Sequence, residues 1–266
     1  MKNNRVSKII VGVSAFIILL PVVVILIWSV TARWPWPSLL PESLTTRTIT
    51  ELFSGAAELP EVLGSSILLA TLVAIITTTI ALMTARATEI YHIRGEKAIS
   101  YLSLLPLLVP GTAFAMGVQV TLIKMGLNDT IAGVVLVHVV SALPYSILIM
   151  TDVTRAVGIR LEEQAAVLGA TPGQGFLHTS LPQLMPGILS STSMAYIISY
   201  SQYFTTLLAG GGRIKTLALV LVPYIQSGDR ALSAIYAVLF VGSALIVFFI
   251  IEFILSKLIK SENNYI

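Results

Sequence analysis

The chain of 266 residues is 56% hydrophobic and only 11% charged, and its 16 basic and 13 acidic residues leave a formal charge of +3. A soluble domain carries about 25% charged residues, and the apolar residues here fall in blocks near the roughly 20 that cross a bilayer, so a soluble globule, a disordered tail and a coiled coil are all excluded. So small a charge does not point to nucleic acid, and without any cysteine there can be no disulfide, thiolate metal site, iron–sulfur cluster or cysteine nucleophile.

In chain order, Lys2, Arg5 and Lys8 precede an apolar run that predicts a first span over 9–31. It is longer than the core of a secretory signal, and Ser29-Val30-Thr31 makes a poor cleavage site, so it reads as an uncleaved anchor. A polar connection follows, with prolines at 35, 37, 41 and 60 and an amphipathic stretch over 48–53. Trp34 and Trp36 in it mark the membrane interface. A second span is expected over 64–85, then a charged loop holding Arg86, Glu89, Arg94, Glu96 and Lys97. The third, over 98–123, contains Pro106 and Pro110, which remove backbone donors and kink it. After a tight turn over 126–129, a fourth span over 130–151 contains His138 and Pro144.

The stretch from Asp152 to Leu181 is polar and has helix signals of its own. Leu161 to Leu168 reads as a short amphipathic helix ended by Gly169. Thr171-Pro172, with Gln174 three residues after the threonine, is a capping box opening a second. A helix–turn–helix over 161–182 is therefore expected between spans. The fifth span is predicted over 182–208 and the sixth over 231–255, with an apolar segment near 217–224 between them and Lys257 and Lys260 behind. The fold class is all-α: a polytopic membrane bundle of six spans, one domain over 1–266. Six spans place both termini on one side, where Lys2, Arg5, Lys8, Arg86, Arg94, Lys97, Arg155, Arg160, Lys257 and Lys260 make 10 of the 16 basic residues. The positive-inside rule then makes the termini and the helix–turn–helix cytoplasmic.

Glu163-Gln164-Ala165-Ala166-Val167-Leu168-Gly169, nine residues, then Thr179-Ser180-Leu181-Pro182 resembles the EAA loop of the permease subunits of type I ATP-binding-cassette importers. Glu163, Ala165, Gly169, Leu181 and Pro182 fit in register, while Gln164 and Thr179 replace an alanine and an isoleucine of the pattern. Six spans with this loop between the fourth and fifth match the same MetI-like arrangement over nearly the whole chain. Ser141-Ala142-Leu143-Pro144-Tyr145 and Gly210-Gly211-Gly212-Arg213 look most like the group serving polyamines, thiamine, ferric iron and phosphonates. The resemblance implies a bacterial inner-membrane protein that pairs with a second permease subunit or a copy of itself, two cytoplasmic ATP-binding subunits and an extracytoplasmic solute-binding protein. It implies no cofactor and no ATPase site in this chain. Glu163, Ala165, Ala166, Gly169, Leu181 and Pro182 would then couple the bundle to the ATPase. Small residues allow close approach and the glycine a sharp turn; the alternative is an amphipathic helix lying on lipid.

Further candidates lie within the spans. His138 and Gln119 are polar groups at membrane depth, which by default mark function; for His138 the alternative is a neutral imidazole bonded to a backbone carbonyl. Tyr196, Ser199, Tyr200 and Tyr203 recur at i, i+3, i+4 and i+7, so they either line a solute path or pack. Gly210 to Thr216 lacks the order of a phosphate loop. Two rival functions are an ion-coupled secondary transporter, which would need intramembrane carboxylates, and an intramembrane hydrolase built on His138 and a serine such as Ser191, which no G-x-S-x-G motif frames.

Overall fold

The computed structural model describes residues 3–35, 37–54 and 58–263. Lys2 and Trp36 lie outside the described residues, as do the side chains of Arg5, Lys257 and Lys260. Twelve helices and one small strand pair make up the described chain: α1 (Asn3–Ser29), β1 (Thr31–Arg33), β2 (Ser43–Leu44), α2 (Arg47–Phe53), α3 (Leu59–Glu89), α4 (Glu96–Leu108), α5 (Gly111–Met125), α6 (Ile131–Val157), α7 (Arg160–Val167), α8 (Pro172–Gly175), α9 (Leu181–Tyr200), α10 (Phe204–Gly210), α11 (Leu217–Ser227) and α12 (Arg230–Asn263). Ser7–Ser29, Leu59–Glu89, Ile131–Val157 and Arg230–Phe253 are each long and apolar enough to cross a membrane, and α4 with α5 forms a fifth candidate bent by 109°.

Two of the expected spans are not continuous. The third is split at Val109 and Pro110. Pro110 has no N–H to offer and forces its predecessor out of the helical region, so Val109 sits at φ −91 and ψ 130. Pro106 is carried inside α4 without a break. The fifth is 20 residues of α9, then three non-helical residues before α10. There side chains take over from the ladder: Thr205 Oγ1 donates to Gln202 Oε1 at 2.7 Å and Thr206 Oγ1 to the Gln202 carbonyl at 2.6 Å. Such local bonds offer the backbone an alternative to helix. Tyr203 therefore caps α10 instead of continuing the α9 face that carries Tyr196 and Tyr200. The β1–β2 ribbon, with Thr31 opposite Leu44, was not foreseen either.

The chain forms two compact units. One comprises the described residues up to Leu63 with Leu217–Ser243. In it Thr48 of α2 donates to the Ser29 carbonyl at 2.6 Å, and Tyr224 of α11 stacks on Tyr236 of α12 at 4.7 Å between centroids. The other holds Gly64–Thr216 and the residues from Ala244 on. Its core joins Leu69 and Val73 of α3, Leu122 of α5, Val134 and Val137 of α6 and Ala209 of α10.

Within that second unit α6 packs most extensively against α9. Gly187 makes the approach possible, since a β-carbon there would lie 2.9 Å from the β-carbon and both γ-carbons of Val153. Overpacking of this kind costs about 1–3 kcal/mol. Gly187→Ala should accordingly lower the thermal midpoint in detergent, and Val153→Ala in the same chain should recover part of the loss. Independent, additive effects would show that the two do not compete for one space.

Candidate functional site

The loop after α6 is built around one ion pair. Arg86, near the end of α3, donates from Nη1 to Glu162 Oε1 at 2.8 Å and from Nη2 to Oε2 at 3.0 Å. Both side chains are only 13% exposed. The same guanidinium lies 4.4 Å from the Phe176 ring centroid, so a single cation fastens α7 and the turn after α8 to α3. Hydrogen bonds from Arg86 hold the Glu162 carboxyl below its ordinary value of 4.5. Beside this clamp Arg155 of α6 makes a second bidentate contact to Glu89 of α3, at 2.9 and 3.2 Å.

The remainder of the loop follows from local chemistry. α7 is closed by Gly169 at φ +92, the left-handed conformation that β-branched residues resist. The capping box forms: the Thr171 hydroxyl accepts from the Gln174 amide and the Gln174 side chain accepts from the Thr171 amide. α8 then continues through a π-helical turn, Phe176–Ser180, into α9, whose first residues are Leu181 and Pro182. This arrangement leaves Glu163 and Ala166 exposed, with Val167 and Leu168 each 88% exposed. Ala165, Leu181 and Pro182 are half-buried. Glu162 and Arg86, to which the sequence reading gave no site role, carry the structural one; they stand 76 residues apart, and nothing in the sequence pairs them.

At membrane depth His138 is fully buried between two hydroxyls, Ser199 Oγ at 2.9 Å from Nδ1 and Thr206 Oγ1 at 2.9 Å from Nε2. The expected carbonyl partner is replaced by these side chains. Because the Thr206 proton is already given to the Gln202 carbonyl, Thr206 accepts from Nε2–H and Ser199 donates to Nδ1, which fixes the tautomer. The histidine thereby ties α6 to α9 and α10 across the break. Tyr196 and Tyr200 are buried and stacked at 5.5 Å, Ser199 is 2% exposed, and Gln119 Nε2 donates to the Leu208 carbonyl at 3.2 Å.

None of Gln119, His138, Tyr196, Ser199 and Tyr200 lines the cavity of about 530 Å³ that opens where the two broken spans meet. Its walls include Thr112, Ser141, Tyr145, Gln202 and Thr205, all neutral and polar, with apolar Phe114 and Phe204. Pro110 precedes α5 and supplies no side-chain cap, and the first intrahelical bond there is Phe114 N to Pro110 O. The amides of Gly111, Thr112 and Ala113 thus have no helical acceptor.

Arg86→Ala should leave the chain inserted but raise hydrogen exchange and protease cutting over 160–180, and Arg86→Lys should rescue little, because an ammonium cannot make the bidentate contact. The pH sign follows from the lowered Glu162 pKa. The clamp's contribution is full above the ordinary carboxyl range and is lost as pH falls through the lowered value. Protection factors over the loop, corrected for the intrinsic pH dependence of amide exchange, should therefore hold steady from neutral pH down to about 5 and fall only in more acid solution, a fall absent from Glu162→Gln.

Comparison with known proteins agrees with this layout. The family model of the binding-protein-dependent transport system inner membrane component matches residues 78–261. A candidate 2-aminoethylphosphonate transport system permease protein, PhnV of Salmonella typhi, is 25% identical over 243 residues, 90% of this chain and 90% of that protein. The molybdenum transport system permease protein ModB of Mycobacterium tuberculosis is 28% identical over 169 residues, 58% of this chain and 64% of its own length. The trehalose transport system permease protein SugB of Mycobacterium tuberculosis is 25% identical over 173 residues, 64% of this chain and 61% of that protein. With well over half of its length matched, the chain belongs to this family of inner-membrane components, the permease subunits of type I ATP-binding-cassette importers.

Proposed function

We propose that this chain forms half of a solute path across the inner membrane, with cytoplasmic termini, and that its α7–α8 loop receives the movement of a cytoplasmic ATP-binding subunit. The observation that carries the reading is the division of labour on α7. Glu162 is spent on Arg86, while Glu163, Val167 and Leu168 are held outward on the same short helix. A partner surface with a basic group and an apolar groove fits that face. The remaining partners are a second permease subunit, or a copy of this one, and an extracytoplasmic binding protein. Gly169 and the capping box set the angle of the docking helix, and Leu181 and Pro182 pass its motion into α9.

Of the solutes that the resemblance suggests, a small phosphonate-like oxyanion fits best. The cavity at the helix breaks has no charged side chain in its wall but offers hydroxyls, one amide side chain and the free amides of α5. Donors of this kind suit an anion, whereas a cationic polyamine would meet no carboxylate in that wall. PhnV, matched over most of both chains, is named for a phosphonate. Tyr196, Tyr200 and His138 are assigned to packing between α6, α9 and α10.

Glu163→Ala removes a charge-assisted bond of about 1.5–3 kcal/mol, and Gly169→Val forces a β-branched residue to φ +92. Both variants should stay inserted and abundant yet lose ATPase co-purification and solute-stimulated hydrolysis in vesicles, with Gly169→Val the more severe. Full retention by both would reduce the loop to a membrane-surface helix. For orientation, a single cysteine at position 164 should resist an impermeant thiol reagent on intact cells, whereas one at position 56 should react. For the solute, vesicle uptake of labelled 2-aminoethylphosphonate should fall on Ser141→Ala and Gln202→Ala, and a system moving polyamine with no phosphonate uptake would overturn the oxyanion assignment.

A further inference from the structure

The first unit carries a feature apart from the cavity at the helix breaks. Where α1 ends and α12 begins, at the membrane boundary opposite the termini, two cavities of about 280 and 270 Å³ lie side by side. Trp28, Gly228 and Arg230 line both. The first is polar, walled also by Thr31, Trp34 and Asp229. The second is apolar, walled by Ile25, Ile225, Ala234 and Ala237, and so runs from the boundary toward the hydrocarbon between the two helices.

Charges at this junction are set out for a dipolar group. The Arg230 guanidinium rests 5.4 Å above the Trp28 ring, and among the described residues no carboxylate lies within ion-pair distance of it. Asp229 uses Oδ1 to accept from the Leu232 amide at 3.1 Å, capping α12, and its carboxylate, which also feels the Arg47 charge, lines the polar cavity. Trp34 meets Trp28 edge-on at 6.0 Å and completes an aromatic wall. A cation next to a carboxylate in the wall of the polar cavity, both beside a slot lined by aliphatic carbon, matches an amphiphile with an anionic group, a neighbouring ammonium and a chain.

We propose that this junction binds an amine-bearing zwitterionic phospholipid from the leaflet opposite the termini, its phosphodiester on Arg230, its ammonium toward Asp229 and the tryptophans, and an acyl chain in the apolar cavity. Arginine suits the phosphate geometry, and the rings favour a cation at their faces. A primary ammonium donates hydrogen bonds to Asp229 that a quaternary one cannot, so phosphatidylethanolamine is preferred over phosphatidylcholine. The inference depends on the chain spanning the membrane and not on which solute it moves.

All three tryptophans of the chain stand at 28, 34 and 36, so intrinsic fluorescence reports on this region. In a Trp36→Phe chain reconstituted in phosphatidylcholine, emission should be quenched by low fractions of brominated phosphatidylethanolamine several-fold more effectively than by equal fractions of brominated phosphatidylcholine. Arg230→Gln should abolish the preference and Arg230→Lys should retain part of it. Asp229→Asn, which still caps a helix, should weaken discrimination between the two headgroups while α12 persists. Equal quenching by both lipids, or an unchanged preference in Arg230→Gln, would mean that only bulk lipid touches the site and would overturn the proposal. Loss of the preference on adding millimolar inorganic phosphate would assign the site to free phosphate instead.

Discussion

Hydrocarbon supplies no hydrogen-bond partners, so every backbone group at membrane depth has to be satisfied by the protein or by a water-filled cavity. In the second unit this constraint decides where the irregular backbone goes. The chain leaves helical geometry at Val109–Pro110 and again at 201–203, and both breaks border the same cavity. At the second break the hydroxyls of Thr205 and Thr206 satisfy Gln202, and His138 in turn satisfies Thr206 and Ser199. At the first break nothing caps α5, and Gly111 and Thr112, whose amides lack a helical acceptor, line the same cavity. The polar lining at the breaks thus goes with two interrupted helices, and the hydroxyls of Ser199, Thr205 and Thr206 there each have a definite partner.

A comparable economy governs the loop. Successive residues on a helix project about 100° apart, so Glu162 and Glu163 cannot share one face of α7. The first turns inward to Arg86 and is nearly closed off from solvent, while the second is exposed. Removing one partner of a well-shielded pair leaves the other charge uncompensated, which costs far more than the pair itself contributes. That asymmetry makes Arg86 and Glu162 a rigid mount and Glu163 a free contact. Were their roles exchanged, α7 would have no fixed place to present a surface from.

Much of this was legible in the sequence where the pattern is local. The blocks of apolar residues foretold α1, α3, α6 and α12, and Thr171-Pro172 with Gln174 foretold the capping box, because each depends on neighbours in the chain. Proline at 110 signalled disruption of the third span, although not a bend of 109°, since the angle is set by what each half packs against. The break after Tyr200 carried only a weak signal in Ser201 and Gln202, and it displaced Tyr203 from the face assigned to it. Contacts between distant segments, such as Arg86 with Glu162 and His138 with Ser199 and Thr206, were illegible because nothing in spacing records which helices become neighbours.

The interior chemistry bears on how such a path is driven. Among the described residues the cavity wall has no carboxylate, histidine or basic side chain. An ion-coupled carrier stores its energy in titratable or ion-binding groups at that depth. Here the charged residues gather at the loop instead, where Arg86 holds α7 and the Phe176 turn together. The π-helical turn joins directly to α9, and α9 meets α6 at Gly187 with no space for a methyl group. On the proposed reading a push on α7 therefore has little slack in which to dissipate before it passes through α9 to α6, whose Ser141 and Tyr145 border the cavity. Close packing converts a displacement at the surface into a shift of whole helices, which is what a path driven from outside the membrane requires.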